Sequence, residues 1–322
     1  PDDEKFTTTI KLFLTLTVVV VFCESSFPKG GYPPDDEKFT KHPNWKLLPH
    51  NQCGTTSIRM QPRIVGGTKA RIGQFPWIVG LLDTEGPKRK SVINCGGSLI
   101  NDRYVVTAAH CVIGNTKLKY VVLGEYNQDT DIDCDGFRCT GPAFKVRIEK
   151  KVCHPSYNHY ATKVGTNDIC LIRLSTRIAN YNDFIRPICL PTQKVLQGKT
   201  FNGLHLETAG WGWAENSYPS VLRVVTVPVI SEKACRRWVP NIKISQICAM
   251  GDNGRDSCVG DSGGPLMVQE KKSNGIGYIS VLIGITSYGT PKGNPKFFCG
   301  SHIGVYVRVS EYIQWILNNI HE

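Results

Sequence analysis

No stretch of this 322-residue chain holds eighteen consecutive apolar side chains, so the sequence offers no ordinary membrane-spanning helix. It contains no C-x-x-C pair, the unit from which four-thiolate zinc sites are built. No basic helical stripe and no aromatic RNA-binding pattern accompanies its positive charge, which argues against a nucleic-acid partner. The string PDDEKFT occurs at 1–7 and again at 34–40, but two short copies do not make a solenoid.

What is present is basic, cysteine-rich and apolar enough, at 41% hydrophobic residues, to bury a sizeable core. Net charge is +11, and residues 1–63 hold only eight basic against seven acidic side chains. Nearly all the excess therefore lies downstream, where it would steer acidic partners. Twelve of the thirteen cysteines fall between Cys53 and Cys299, with Cys23 apart. An even dozen reads as six disulfides made in an oxidising compartment. Residues 12–22, LFLTLTVVVVF after Lys11, have the length of a secretory apolar segment. Residues 1–23 are expected to be a leader, with 1–7 an assembly artefact upstream of it, and the mature chain is expected to be secreted.

Residues 24–63 are rich in proline, glycine and charge, and Cys53 is their one cysteine. They are expected to form an irregular extension or light chain. The character changes after Arg63. Runs rich in Val, Ile, Leu and aromatics recur at 77–82, 98–100, 104–107, 120–123, 169–174, 222–228, 278–287 and 304–309, punctuated by Gly, Pro, Asn and Asp. Many short strands with such turns predict an all-β barrel or sandwich. Tyr312, Ile313, Ile316 and Leu317 then recur at helical spacing, predicting a helix over 309–320 with Ser310 as its cap.

Residues 254–265 read GRDSCVGDSGGP. A serine among glycines exposes its hydroxyl and surrounds an anion with backbone N–H groups. His110, in TAAHC, offers a base, and Asp168, in TNDI, a carboxylate to orient it. Singly, His110 suits a core histidine, Asp168 a cap or ion-pair partner, and Ser262 a turn. Together, in the order His, Asp, Ser, they favour nucleophilic catalysis.

Six separated elements carry a resemblance: IVGG at 64–67, TAAHC at 107–111, NDI at 167–169, AGWG at 209–212, GDSGGP at 260–265 and GVYVRV at 304–309. The chain resembles the trypsin/chymotrypsin family of serine proteases from 64 to about 320. The resemblance implies two packed six-stranded antiparallel β-barrels with a C-terminal helix, and a peptidase domain over 64–322. It implies Ser262 as nucleophile, His110 as general base and acid, Asp168 as its orienting partner, and the N–H groups of Gly260 and Ser262 as the oxyanion hole. A cut after Arg63 would free the Ile64 amino group to pair with Asp261. Asp256 would select Arg or Lys from the pocket floor between Gly289 and Gly304, while Ser287, Tyr288 and Gly289 would form the edge that pairs with substrate. A non-enzymatic homologue usually lacks the serine; Ser262 is intact.

The linker NWKLLPHNQCG at 44–54 and the cysteine set are similar to the catalytic half of arthropod clip-domain proteases of the easter and prophenoloxidase-activating type. That resemblance implies Cys95–Cys111, Cys235–Cys248 and Cys258–Cys299, with Cys53–Cys189 tethering the extension. Cys134 and Cys139, inside the acidic loop 125–145, and Cys153 and Cys170, flanking Asp168, are the remaining expected bridges. No cofactor is required; a structural calcium at Glu125, with Glu149 as second anchor, is the one candidate. The implied partners are protein substrates, an upstream trypsin-like activator and a serpin inhibitor. The implied form is a monomer in an extracellular cascade, such as innate immunity, or in venom.

Overall fold

The structure is a computed structural model and describes residues 35–58, 68–83, 92–157, 165–213, 217–251, 260–272, 277–290 and 303–322. The first half of the described chain carries β1 (Thr68–Lys69), β2 (Ile78–Asp83), β3 (Val92–Leu99), β4 (Tyr104–Thr107), β5 (Leu118–Leu123), β6 (Cys134–Asp135), β7 (Arg138–Cys139), β8 (Phe144–Cys153) and β9 (Cys170–Leu174). The second half carries β10 (His205–Gly210), β11 (Arg223–Pro228), β12 (Gln246–Met250), β13 (Pro265–Lys271), β14 (Tyr278–Thr290) and β15 (Ile303–Arg308).

Six strands close into a barrel in the order β2-β3-β4-β9-β8-β5. Its centre is the antiparallel pair β4–β9, where Val106 faces Leu171 and Thr107 faces Cys170. Val105, Val106, Leu171 and Ile172 are fully buried, as branched side chains on a pleated, covered surface should be.

The second body departs from the expected closed six-stranded barrel. It is a seven-stranded sheet in the order β1-β11-β10-β13-β14-β15-β12. The reason is local to the end of β11. Past Pro228, Val229 N–H donates to Leu204 O and Ile230 N–H to Cys248 O. One bridge, Val229 to Ala249, forms toward β12. The chain then leaves the sheet for a helical turn over Glu232–Cys235, capped by Ser231. A single rung does not close a ladder, and two-residue β1 lies beside β11 at the other edge.

The extension is more ordered than its composition suggests. Asp36 accepts from Lys38 N–H and caps α1 (Glu37–Thr40), and His42 caps a 3-10 turn over Pro43–Leu47. Phe39 and Leu48 are buried in the core on the barrel side. Asp36 N–H reaches Thr192 O at 2.9 Å, and a disulfide joins Cys53 to Cys189. The helical turn at Glu232–Cys235 is α2, and the chain ends in α3 (Ile313–Asn319). A 3-10 turn over Val309–Tyr312 precedes α3, so the helix starts after the Ser310 cap read from the sequence. Ile313, Ile316, Leu317 and Ile320 are fully buried. Trp77 on the barrel side, also fully buried, places Nε1 3.0 Å from Met267 Sδ on β13, locking the two bodies together.

Candidate active site

His110 lies in a 3-10 turn, Ala109–Cys111, directly after β4. Asp168 comes two residues before β9, the strand paired with β4. The β4–β9 register therefore sets histidine against carboxylate. His110 Nδ1 is 2.7 Å from Asp168 Oδ2, and His110 N–H donates to Oδ1 at 2.9 Å. An ionised carboxylate only accepts, so Nδ1 carries the proton and Nε2 is left as the base. The turn before Asp168 is pinned by Asn167, at φ 59°. Its side chain donates to Ser156 O and accepts from the Tyr312 hydroxyl.

Asp168 is only 2% exposed. Burial pushes its carboxyl up, yet the hydrogen bonds and charge of His110, with a hydrogen bond from Ser287, together bring it below its ordinary value. It is thus an anion in a dry place, held by donors rather than by water. Burial and the Asp168 charge push the nearby Tyr157 phenol up to about 12.

Ser287 has a role the sequence did not disclose. The β14–β15 register shifts between Thr286 and Tyr288, and at such bulges a side chain is re-aimed. Ser287 Oγ donates to Asp168 Oδ2 at 2.5 Å. Only the bulge signals this, and a bulge cannot be read from residue type.

The Ser262 loop is stitched to both bodies. Gly96 N–H on β3 donates to Ser262 O at 2.8 Å, while Gly263 N–H donates to Thr286 O and Thr286 N–H to Gly264 O. Gly263 has φ 78°, and a Cβ there would strike Thr107 and Gly96. Only glycine lets this loop press against the chain that leads to His110. Among the described residues, the N–H groups of Gly260 and Ser262 meet no backbone carbonyl. Asp261 points the other way, toward the AGWG segment. Its Oδ1 accepts from Gly212 N–H at 2.8 Å, and a Cβ on Gly210 or Gly212 would overlap its carboxylate. Gly289 and Gly304 sit directly opposite each other across β14–β15, with Tyr288 beside them.

Arg63, Ile64, Asp256, Cys258 and Cys299 lie outside the described residues. Disulfides join Cys95 to Cys111, Cys134 to Cys139, Cys153 to Cys170 and Cys235 to Cys248. The first ties the His110 turn to β3, and the third bridges directly opposed residues of β8 and β9. Cys95, His110 and Cys111 gather their ligand atoms within 4.8 Å, but both sulfurs are spent on the disulfide. In the acidic loop, Glu125 Oε1 accepts from Tyr126 N–H, and Asp133 accepts from Asn127 N–H and the Thr130 hydroxyl. Glu149 is held by Arg103 and Arg173. These contacts hold the carboxylates to the loop and its neighbours.

A histidine oriented by a buried carboxylate, with Ser262 in a glycine-lined turn packed on the chain that leads to it, is the arrangement of a serine hydrolase. The chain belongs to the trypsin family: the Trypsin family model matches residues 64–316. It is a trypsin-like serine endopeptidase closely related to insect CLIP-domain proteases. It is 38% identical over 289 residues to CLIP domain-containing serine protease HP8 of Bombyx mori, covering 86% of this chain and 74% of that protein. It is 37% identical over 322 residues to serine protease ea of Drosophila melanogaster, covering 94% and 78%. Among solved structures, the Drosophila Grass clip serine protease of the Toll pathway superposes with a TM-score of 0.72 at 32% identity, covering 84% of this chain and 76% of that one.

Proposed function

We propose that the chain is a secreted zymogen that cuts proteins after Arg or Lys once it is itself cut at Arg63–Ile64. The observation that carries this reading is the Asp168–His110 couple, donors aligned, with the Ser262 loop bound to β3 and β14 beside it.

Ser262 Oγ attacks the scissile carbonyl and passes its proton to His110 Nε2. The C–N bond breaks as His110 returns that proton to the amine, leaving an acyl-serine. Water, deprotonated by His110, then releases the acid and restores Ser262. Asp168 stabilises the imidazolium formed in each half, and Ser287 fixes the carboxylate. The N–H groups of Gly260 and Ser262 meet the oxyanion; losing one such donor costs about 3–4 kcal/mol. Asp256, six residues before Ser262, selects a cationic side chain, and the facing glycines 289 and 304 leave it room. The amino group freed at Ile64 pairs with Asp261, which the glycines at 210 and 212 already admit. Burying that charge unpaired is unfavourable, so the uncut chain is the weaker enzyme.

Twelve cysteines and the apolar segment at 12–22 support secretion. Relatives named for melanization and for Spaetzle processing in Drosophila melanogaster favour a place in an extracellular protease cascade. An upstream trypsin-like activator and a serpin inhibitor are the corresponding partners. The test is cleavage at Arg63 followed by a peptide-library assay. Cutting after Arg and Lys is expected; preferred cutting after Phe or Leu, or full activity of an uncut Arg63→Gln chain, contradicts the reading.

A further inference from the structure

The excess positive charge is not spread evenly. Over much of the surface, basic side chains meet acids: Arg103 and Arg173 share Glu149, Arg177 meets Asp102, and Lys199 meets Glu270. On the antiparallel pair β5–β8 that same Glu149 is the one acid, and it is spent on Arg103 and Arg173. Lys119 on β5 and Lys145, Arg147 and Lys150 on β8 are exposed, and among the described residues none of the four has an acidic partner. Half-buried Lys151 joins them. Burial, and then the like charge of Lys119, push its ammonium below its ordinary value, with Asp83 pulling the other way. Asp83 is itself occupied by the amides of Asn94 and Asn115.

The cluster has shape as well as charge. Arg147 lies directly across from Tyr120, whose ring carries Lys145 Nζ at 4.7 Å. Exposed Phe144 starts the strand. From Lys145 to Lys150 the strand runs about 17 Å, the length of five or six extended residues. One end abuts the site. Lys151 Nζ donates to Asn115 O at 3.3 Å, in the chain just past the His110 turn. β8 itself ends at Cys153, bridged to Cys170 two residues past Asp168.

We infer that this β5–β8 face is an exosite for an acidic, extended segment of the protein substrate, a run of Asp and Glu bound while the scissile bond lies beside His110. The inference deepens the endopeptidase reading and rests on it for its catalytic consequence, though not for binding itself. Single exposed ion pairs are weak, but several unpaired cations along one ladder sum into a field that attracts and aligns an anionic chain. A protein segment is favoured over a polysaccharide or nucleic acid because Tyr120 and Phe144 set apolar surface among the cations, and because the enzyme already acts on proteins.

Fluorescein-labelled octaglutamate, titrated against the full, uncut chain and read by anisotropy, tests binding without turnover. Affinity is expected to fall at least about tenfold between roughly 50 and 200 mM salt, and about tenfold in the double variant Lys119→Glu/Arg147→Glu. Lys233→Glu/Lys243→Glu changes net charge equally at two other exposed positions and should stay within about twofold. Equal losses in both double variants, no binding at low salt, or tighter binding of heparin or duplex DNA than of the peptide would overturn the assignment. In the cut enzyme, Lys119→Glu/Arg147→Glu should lose about tenfold in kcat/KM on a fusion substrate with an acidic run and nothing on a short Arg amide. Equal loss on both substrates overturns the exosite. Peptide binding by a cut chain with no activity on any substrate would sink the endopeptidase reading and leave the binding face standing.

Discussion

The closed barrel and the open seven-stranded sheet do different jobs with similar strands. The barrel completes its own hydrogen-bond ladder, ties itself with Cys95–Cys111 and Cys153–Cys170, and contributes His110 and Asp168. The sheet leaves its last rung nearly unmade, takes in the extension through Cys53–Cys189, and contributes Ser262 and Ser287. The His110–Asp168 couple thus belongs to the body with no free edge, and Ser262, the proposed nucleophile, to the body whose assembly involves other segments of the chain. The proposed activation by cutting suits such a division, because His110 can stay aligned while the Ser262 loop rearranges.

The largest expected effect shows whether the two bodies act as one unit. His110→Ala from the barrel and Ser262→Ala from the sheet are each expected to lower kcat by about 10⁴- to 10⁶-fold, with the double variant no worse than the worse single. Multiplying losses in steady-state kinetics would show two independent contributions. Next comes stability. Leu171→Ala, in the fully buried barrel centre, should cost about 2–5 kcal/mol in urea unfolding; a loss under 1 kcal/mol would deny the barrel its role as rigid support.

Much of this was legible in the residues. TAAHC, NDI and GDSGGP fix residue types that only make chemical sense together, and the cysteine count points to an oxidising compartment. The His110–Asp168 contact follows from β4 pairing with β9, which strand-like runs at 104–107 and 169–174 anticipate. Other features depend on long-range register. Whether the sheet closes is decided at Pro228 and Val229, where one bridge forms instead of a ladder. Ser287 reaches Asp168 only because β14 bulges, and the extension docks because Phe39 finds a core hole that its charged neighbours do not advertise.

Ser287 links the two bodies, since the sheet donates through it to the barrel's Asp168 carboxylate. Ser287→Ala should lower kcat roughly tenfold with KM little changed, the worth of one charge-assisted hydrogen bond. Its pH signature has a definite sign. The Asp168 carboxyl lies below its ordinary value when folded, so its stabilisation is complete above about pH 4 and is lost as pH falls through the lower, folded value. Removing Ser287 raises that value, so the acid limb of unfolding should move to higher pH. An unmoved acid limb would reduce Ser287 to packing. The smallest expected effect is calcium. With Glu125 and Asp133 committed to the loop, millimolar calcium against chelator should shift Tm by less than about 2 °C, and a larger rise would mean the loop rearranges around an ion.

Labelling by a serine-directed phosphonate tests the division between the two bodies most directly, measured before and after cleavage at Arg63 and read by mass at Ser262. Labelling should be slow in the uncut chain, stoichiometric in the cut chain, and absent in Ser262→Ala and His110→Ala. Equal rates before and after cutting, or labelling that survives His110→Ala, would contradict that division.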